Sequence, residues 1–310
     1  MDRAPTRLAV TLGDPRGIGP EVAAAAVSAL GGEAALTIIG PEGTAATPDV
    51  VVGRWSRGAA AEAGALAGAA IEQATALALR GEVDGIVTAP IDKAALAAAG
   101  YRFPGHTEML QHLTGAPEVV MLMAAEQTRL GGALRVVLAT THLPLRAVPG
   151  AVTTGKLVRQ GRLTARGLRE GWGMSAPRLA LCALNPHASD GGLFGSEEAE
   201  IMEPAVAALR EEGVDASGPF PADTVFVRAL RGEFDAVIAP YHDVGMAAFK
   251  TASFGSGVNV TLGLPFVRTS PDHGTALDIA GRGVADPSSM IAAVRLAVRL
   301  VRGTPAVIQG

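Results

Sequence analysis

Three apolar runs in this chain end on a histidine. Ala236-Val-Ile-Ala-Pro-Tyr-His-Asp243 stops at His242 and Asp243, Leu134-Arg-Val-Val-Leu-Ala-Thr-Thr-His142 at His142, and Arg178-Leu-Ala-Leu-Cys-Ala-Leu-Asn-Pro-His187 at His187. Continuous apolar runs of this length read as buried parallel strands, and open α/β sheets bind ligands at the edge where such strands end. Three imidazoles delivered to one edge could grip a single divalent cation, and neutral nitrogen ligands favour zinc or cobalt over oxygen-seeking magnesium. A metal there would polarise a hydroxyl or carbonyl oxygen as a Lewis acid. Each histidine taken singly is more often a hydrogen-bonded structural residue, and the spacing carries no local ligand signature. The inference therefore rests on the fold bringing the three strand ends together.

A second set is rich in hydrogen-bond donors. His106, Thr107, Lys250, Asn259 and Arg268 suit a phosphate or carboxylate, with a surface ion-pair network as the bland alternative. Asp84-Gly-Ile-Val-Thr-Ala-Pro-Ile-Asp-Lys93 repeats the strand-to-edge pattern and brings Thr88, Asp92 and Lys93 to the rim. The one cysteine, Cys182, sits inside an apolar strand, which excludes disulfides and thiolate metal sites and makes it a core residue.

The elements that must position these groups alternate. Arg7 to Leu12 reads as a strand, Gly13-Asp-Pro-Arg-Gly-Ile-Gly-Pro-Glu21 as a glycine-rich turn entering a helix, Leu36 to Gly40 as a strand and Ala59 to Arg80 as a long helix. Strands follow at Glu118 to Ala124 and Leu134 to Thr140, then a basic amphipathic helix from Thr153 to Leu168 with a solvated face. Ser196-Glu-Glu-Ala-Glu reads as a capped helix start, and Gly218-Pro-Phe-Pro as a rigid loop that places Asp223 and Thr224 at another. Two short strands lie between Gly257 and Arg268, a loop from Thr269 turns into a helix near Asp278, and a last helix spans Ser288 to Arg302. Strand and helix in alternation imply a mainly parallel, right-handed crossover architecture.

With 310 residues, 48% of them hydrophobic, the chain can bury a large core. A net charge of -4 with no extended basic run argues against nucleic acid, and the absence of a signal-like N-terminus or a long apolar span argues against a membrane. A cytoplasmic protein with a small-molecule partner is expected.

Seven motifs occur in order: Gly13-Asp-Pro…Gly-Ile-Gly-Pro-Glu21, Thr88-Ala-Pro-Ile…Lys93, Phe103-Pro-Gly-His-Thr-Glu108, Ala139-Thr-Thr-His-Leu-Pro-Leu145, Leu184-Asn-Pro-His187, Tyr241-His-Asp243 and Val258-Asn through Ala276. Together they resemble the 4-hydroxythreonine-4-phosphate dehydrogenase family of vitamin B6 biosynthesis. The resemblance implies two α/β/α domains with a cleft between them, like isocitrate and isopropylmalate dehydrogenases. The cofactor-side domain would take 1–124 and 255–310, and the metal, substrate and dimerisation domain 125–254.

By the same resemblance His142, His187 and His242 match divalent-metal ligands (zinc, cobalt or magnesium), and His106, Thr107, Lys250, Asn259 and Arg268 match substrate-binding positions. The stretch Asp272, His273, Gly274, Thr275 through Asp278 looks like an adenine-binding loop for NAD or NADP, which spacing alone does not reveal. Lys93, Asp243 and Lys250 are candidate proton acceptors, the first two carried as catalytic residues. The implied assembly is a homodimer that builds each active site from both subunits. The implied reaction oxidises and decarboxylates 4-phosphohydroxy-L-threonine, a small phosphorylated hydroxy amino acid, to 3-amino-2-oxopropyl phosphate. Arg16 and Val244 depart from the usual alanine and glutamine, so a paralogous dehydrogenase acting on a phosphorylated threonate or erythronate, or on an aromatic dihydrodiol dicarboxylate, is the alternative. A metal-dependent phosphohydrolase is the alternative from another class, although the bridging carboxylates of a two-metal site are missing.

Overall fold

The computed structural model describes residues 4–30, 32–253 and 255–303. The chain forms two compact units, one taking the residues up to Val119 and returning for Val258–Arg302, the other taking Val120–Gly257. The first begins β1 (Arg7–Thr11), α1 (Gly19–Leu30), β2 (Ala35–Glu42), β3 (Val50–Arg54), α2 (Ala60–Leu79), β4 (Gly85–Thr88), α3 (Lys93–Ala98) and α4 (His106–Thr114). The second runs β5 (Val120–Ala125), β6 (Leu134–Leu138), α5 (Val148–Ala151), α6 (Thr154–Trp172), β7 (Arg178–Cys182), α7 (Glu203–Glu211), β8 (Asp215–Phe220), α8 (Ala222–Leu230), β9 (Ala236–Ala239) and α9 (His242–Ser253). The chain then re-enters the first unit with β10 (Val258–Leu262), β11 (Val267–Pro271) and α10 (Ser288–Arg302).

In the first unit the strand order is β3-β2-β1-β4-β11-β10, parallel except for the β10/β11 hairpin. Alternation decides which face each side chain serves. Ala9 and Ile86, opposite one another across β1 and β4, pack with Ala70, Ala74 and Leu77 of α2. One residue along, Thr269 of β11 turns the other way and its hydroxyl donates to the Ala293 carbonyl of α10. Helices therefore cover both faces, which is why the strands read as unbroken apolar runs.

In the second unit the order is β5-β6-β9-β7-β8, with only the β5/β6 pair antiparallel. Phe249 of α9 and Val225, Phe226 and Ala229 of α8 bury against Val136, Val237 and Ala180 of the sheet. Val244 packs against this same cluster. α6 starts with the Thr153 hydroxyl accepting from the Lys156 N–H and ends at Gly173 in the left-handed region, with Leu157, Ala165, Leu168 and Trp172 on its buried side. Its basic face is outward, where Arg162 pairs with Glu212.

Three sequence expectations differ from this structure. The Gly218-Pro segment belongs to strand β8, an outermost strand, where the ladder does not need the N–H that proline lacks. The loop after Thr269 makes only turns around Asp278 and enters no helix before Ser288. Ser196-Glu-Glu-Ala-Glu opens a π-helical turn, Glu198–Met202, with no side-chain cap, and Glu198 instead accepts from the Leu184 N–H.

Candidate active site

In the second unit, β6 and β9 are parallel neighbours in register, Leu138 opposite Ala239. The pairing continues past the strands, with the Ala139 N–H donating to the Ala239 carbonyl and the Thr140 hydroxyl to the Pro240 carbonyl. The two chains therefore reach their histidines side by side. His142 takes a left-handed φ of 55°, His242 is the first residue of α9, and their ring centroids lie 5.6 Å apart. Thr140, His142, Leu143, Tyr241, His242 and Asp243 line a pocket around them. His242 Nδ1 lies 2.7 Å from Asp243 Oδ1, the carboxylate–imidazole contact that orients a metal-binding ring.

His187 does not join this pair. β7 also borders β9, but His187 lies beyond the end of β7 on a turn in which His187, Ala188, Ser189 and Asp190 all have positive φ, 52°, 54°, 68° and 45°. Left-handed backbone costs an L-residue roughly 1–2 kcal/mol, so the turn persists only because its surroundings hold it. Among the described residues no group of three or more His, Cys, Asp and Glu side chains is arranged to hold a metal ion. One chain thus assembles two of the three expected imidazoles. As a divalent-metal site the pair fits in donor chemistry, two nitrogens with a carboxylate behind one of them, and needs further ligands.

The first unit holds the donor set. Arg268 lies in β11, only 2% exposed, and donates from Nη1 to Thr261 Oγ1 at 3.0 Å and from Nη2 to Thr88 Oγ1 at 2.7 Å. Among the described residues no carboxylate hydrogen-bonds it and its Nε has no partner, and burial lowers its pKa to about 10 against the partial support of Glu108. His106 begins α4, where Gly105 at the N-cap makes no side-chain cap. Burial first, then the charges of Arg268 and Lys93, hold the His106 imidazole well below its ordinary value, and its Nε2 is sealed without a partner. Thr107 follows in the uncapped first turn of α4. Asn259 sits two residues before Thr261 on the same face of β10, its Oδ1 buried and unpartnered. Lys93 is exposed at the start of α3, and a Cβ placed on Gly105 would come 3.7 Å from its Cε. Lys250 lies in the other unit, exposed on α9.

The expected dinucleotide loop follows β11. His273 Nδ1 is 3.1 Å from the Gly274 carbonyl and its Nε2 is buried without a partner, while the Asp272 N–H donates to Ser289 Oγ of α10. Gly274 and Asp278 are more open. The glycine-rich first turn is fixed to this loop: the Ile18 N–H donates to the Thr275 carbonyl, and a Cβ on Gly17 would stand 2.7 Å from that same oxygen. Within the turn, Arg16 donates from Nε and Nη2 to the fully buried Asp14 carboxylate, with Asp92 3.5 Å away. An unpartnered buried imidazole nitrogen beside open glycine backbone fits a loop that receives a polar ligand.

This fold is shared with isocitrate dehydrogenase, a likeness of fold alone. Residues 25–297 match the family described as pyridoxal phosphate biosynthetic protein PdxA. The chain belongs to that family and is an oxidoreductase. It is 44% identical over 320 residues to 4-hydroxythreonine-4-phosphate dehydrogenase of Aromatoleum aromaticum, covering 95% of this chain and 96% of that one. A solved 4-hydroxythreonine-4-phosphate dehydrogenase from Klebsiella pneumoniae superposes with a TM-score of 0.82 at 38% identity, covering 96% and 99%. A terephthalate 1,2-cis-dihydrodiol dehydrogenase from Burkholderia xenovorans is more distant, with a TM-score of 0.66 at 26% identity, covering 95% and 98%.

Two features escaped sequence reasoning. Thr261 becomes an Arg268 partner only through the hairpin register, and Glu198 reaches back to the His187 turn across a loop. Neither carries a local motif.

Proposed function

We propose that the chain oxidises and decarboxylates 4-phosphohydroxy-L-threonine to 3-amino-2-oxopropyl phosphate, using NAD or NADP and one divalent metal ion. The observation that carries this reading is Arg268, a buried guanidinium to which no carboxylate among the described residues is hydrogen-bonded, set beside the unpartnered His106 Nε2. A buried cation is costly unless an anion joins it, and Glu108 supports this one only in part. A phosphate supplies the anion, and the free N–H groups at the start of α4 suit the same group. A phosphorylated threonate or erythronate would answer that charge too, and a dicarboxylate could do so with a carboxylate, so the choice among them follows the 4-hydroxythreonine-4-phosphate dehydrogenase relatives; phosphate hydrolysis leaves the dinucleotide loop without a role.

In this reading His106, Thr107, Asn259, Arg268 and Lys250 bind the substrate. Asp272, His273, Gly274, Thr275 and Asp278 receive the dinucleotide, which accepts the hydride when bound. His142 and His242 of one subunit with His187 of the partner subunit hold the metal, zinc, cobalt or magnesium, whose Lewis acidity favours ionisation of the alcohol and stabilises charge on oxygen. The homodimer this requires is supported by exposed Leu143 and Leu145 beside His142, and Leu193 and Phe194 beyond His187. Asp243 has Oδ1 committed to His242, which suits it to orienting that ring, so Lys93 is the better proton acceptor.

The test is nicotinamide reduction by the purified chain with 4-phosphohydroxythreonine and added divalent metal. Phosphorylated threonate, erythronate and an aromatic dihydrodiol dicarboxylate serve as competitors. Turnover of the unphosphorylated dihydrodiol in preference to the phosphorylated amino acid, or cofactor-free phosphate release, would overturn the assignment.

A further inference from the structure

We propose that Glu198 is a positioning residue for His187, locking the turn that presents this imidazole; the inference rests on His187 being a metal ligand, as read above. Among the described residues no hydrogen bond, ion pair or ring contact fixes the His187 side chain, which is exposed. Its direction is therefore set by its backbone. That backbone is the left-handed run from His187 to Asp190, in which no residue is glycine.

The Glu198 carboxylate holds both flanks of the run. Oε1 accepts from the Leu184 N–H at 2.8 Å and the Asn185 N–H at 2.7 Å, three and two residues before His187. Oε2 accepts from Asn185 Nδ2 at 2.8 Å and from the Ser189 hydroxyl, two residues after it. Glu198 is 2% exposed, and Glu197 adds a second acceptor for Asn185 Nδ2 at 2.7 Å. These four bonds tie the carboxylate to the segment around His187. A residue needed only to start α7 would bond that helix's own N–H groups. Outer groups that orient a metal ligand typically change affinity roughly 10- to 100-fold when removed.

The experiment titrates the full-length apo protein with cobalt(II), following the absorption spectrum and calorimetric affinity, alongside amide hydrogen exchange. Wild type, Glu198→Ala, Glu198→Gln, Ser189→Ala and His187→Ala are compared. Glu198→Ala is expected to speed exchange over 184–190, weaken cobalt roughly 10- to 100-fold and shift the spectrum toward that of His187→Ala, with strands β7 and β9 still protected. Glu198→Gln and Ser189→Ala should fall between, and they carry the comparison if Glu198→Ala does not fold. Faster exchange with wild-type cobalt affinity and spectrum would reduce Glu198 to a structural residue, and unchanged exchange would refute the lock itself. If His187→Ala binds cobalt as wild type does, the metal reading fails and takes this inference with it; if only the Glu198 and Ser189 variants match wild type, this inference alone fails.

Discussion

The rings of His142 and His242, one hundred residues apart in sequence, lie with centroids 5.6 Å apart and planes inclined by 39°. The register of β6 on β9 creates this relationship, while His187 is carried away on its own turn. A site completed across a two-fold axis predicts a complementation result. His142→Ala and His187→Ala homodimers should each be inactive. After subunit exchange, each mixed dimer retains one intact site, so an equal mixture should recover about a quarter of wild-type activity. Recovery of none would mean that all three imidazoles are needed from one subunit.

Arg268 is the group most exposed to a change of substrate charge. Arg268→Met keeps the bulk and removes the fork. The loss of charge-assisted bonding, about 1.5–3 kcal/mol, corresponds to a KM for the phosphorylated substrate raised roughly ten- to a hundredfold. Steady-state kinetics would reassign the residue if kcat fell and KM did not move.

His106 gives a pH signature in stability. Its folded-state pKa lies well below 6.5, from burial and then from Arg268 and Lys93. The unfolded chain protonates around 6.5 while the folded ring stays neutral, so the contribution is intact above that value and is lost as pH falls below it. His106→Gln should flatten this fall in melting temperature between about pH 7 and pH 5. Parallel curves for the two proteins would sink the assignment.

Arg16, a departure from the motif that the resemblance leads one to expect, has a structural role. It neutralises Asp14, whose side chain is wholly inaccessible. Arg16→Ala leaves that carboxylate without its two guanidinium bonds and should cost about 1–3 kcal/mol, read as a lower denaturation midpoint with an unchanged slope. A midpoint equal to wild type would mean that water replaces the guanidinium at no cost.

Cys182 should be silent in the native protein. Burial, then the charge of Glu198, pushes its thiol up to about 12, and its side chain is 0% exposed. A thiolate-seeking alkylating agent at neutral pH should label it only after denaturation. Native labelling at the rate of a free thiol would show that β7 opens.

The legible part of this architecture is the part governed by strand burial. Ile86-Val87, Val136-Val137 and Val237-Ile238 lie in strands covered on both faces, so hydrophobicity alone marked them and the rim residues beyond them. β3 was less legible, because its apolar run, Val50-Val51-Val52, is short and Val51 is exposed at an outermost strand. β8 was hidden by Gly218 and Pro219, which locally read as a loop. The donor pocket was legible as residue types, since His106, Asn259 and Arg268 interrupt apolar or turn sequence with polar groups. The His187 turn was not: Pro-His-Ala-Ser-Asp contains no glycine to announce a left-handed backbone, and the carboxylate that enforces it comes from further along the chain.

The order in which the chain is made inherits a constraint from its discontinuous first unit. When β4 leaves the ribosome, the flank that β11 will occupy is unpaired, and it stays so until the whole of Val120–Gly257 has been synthesised. The inserted unit, being contiguous, can close first. Nascent chains stalled before Val267 should therefore display a bare strand edge at β4 and depend on a chaperone to guard it.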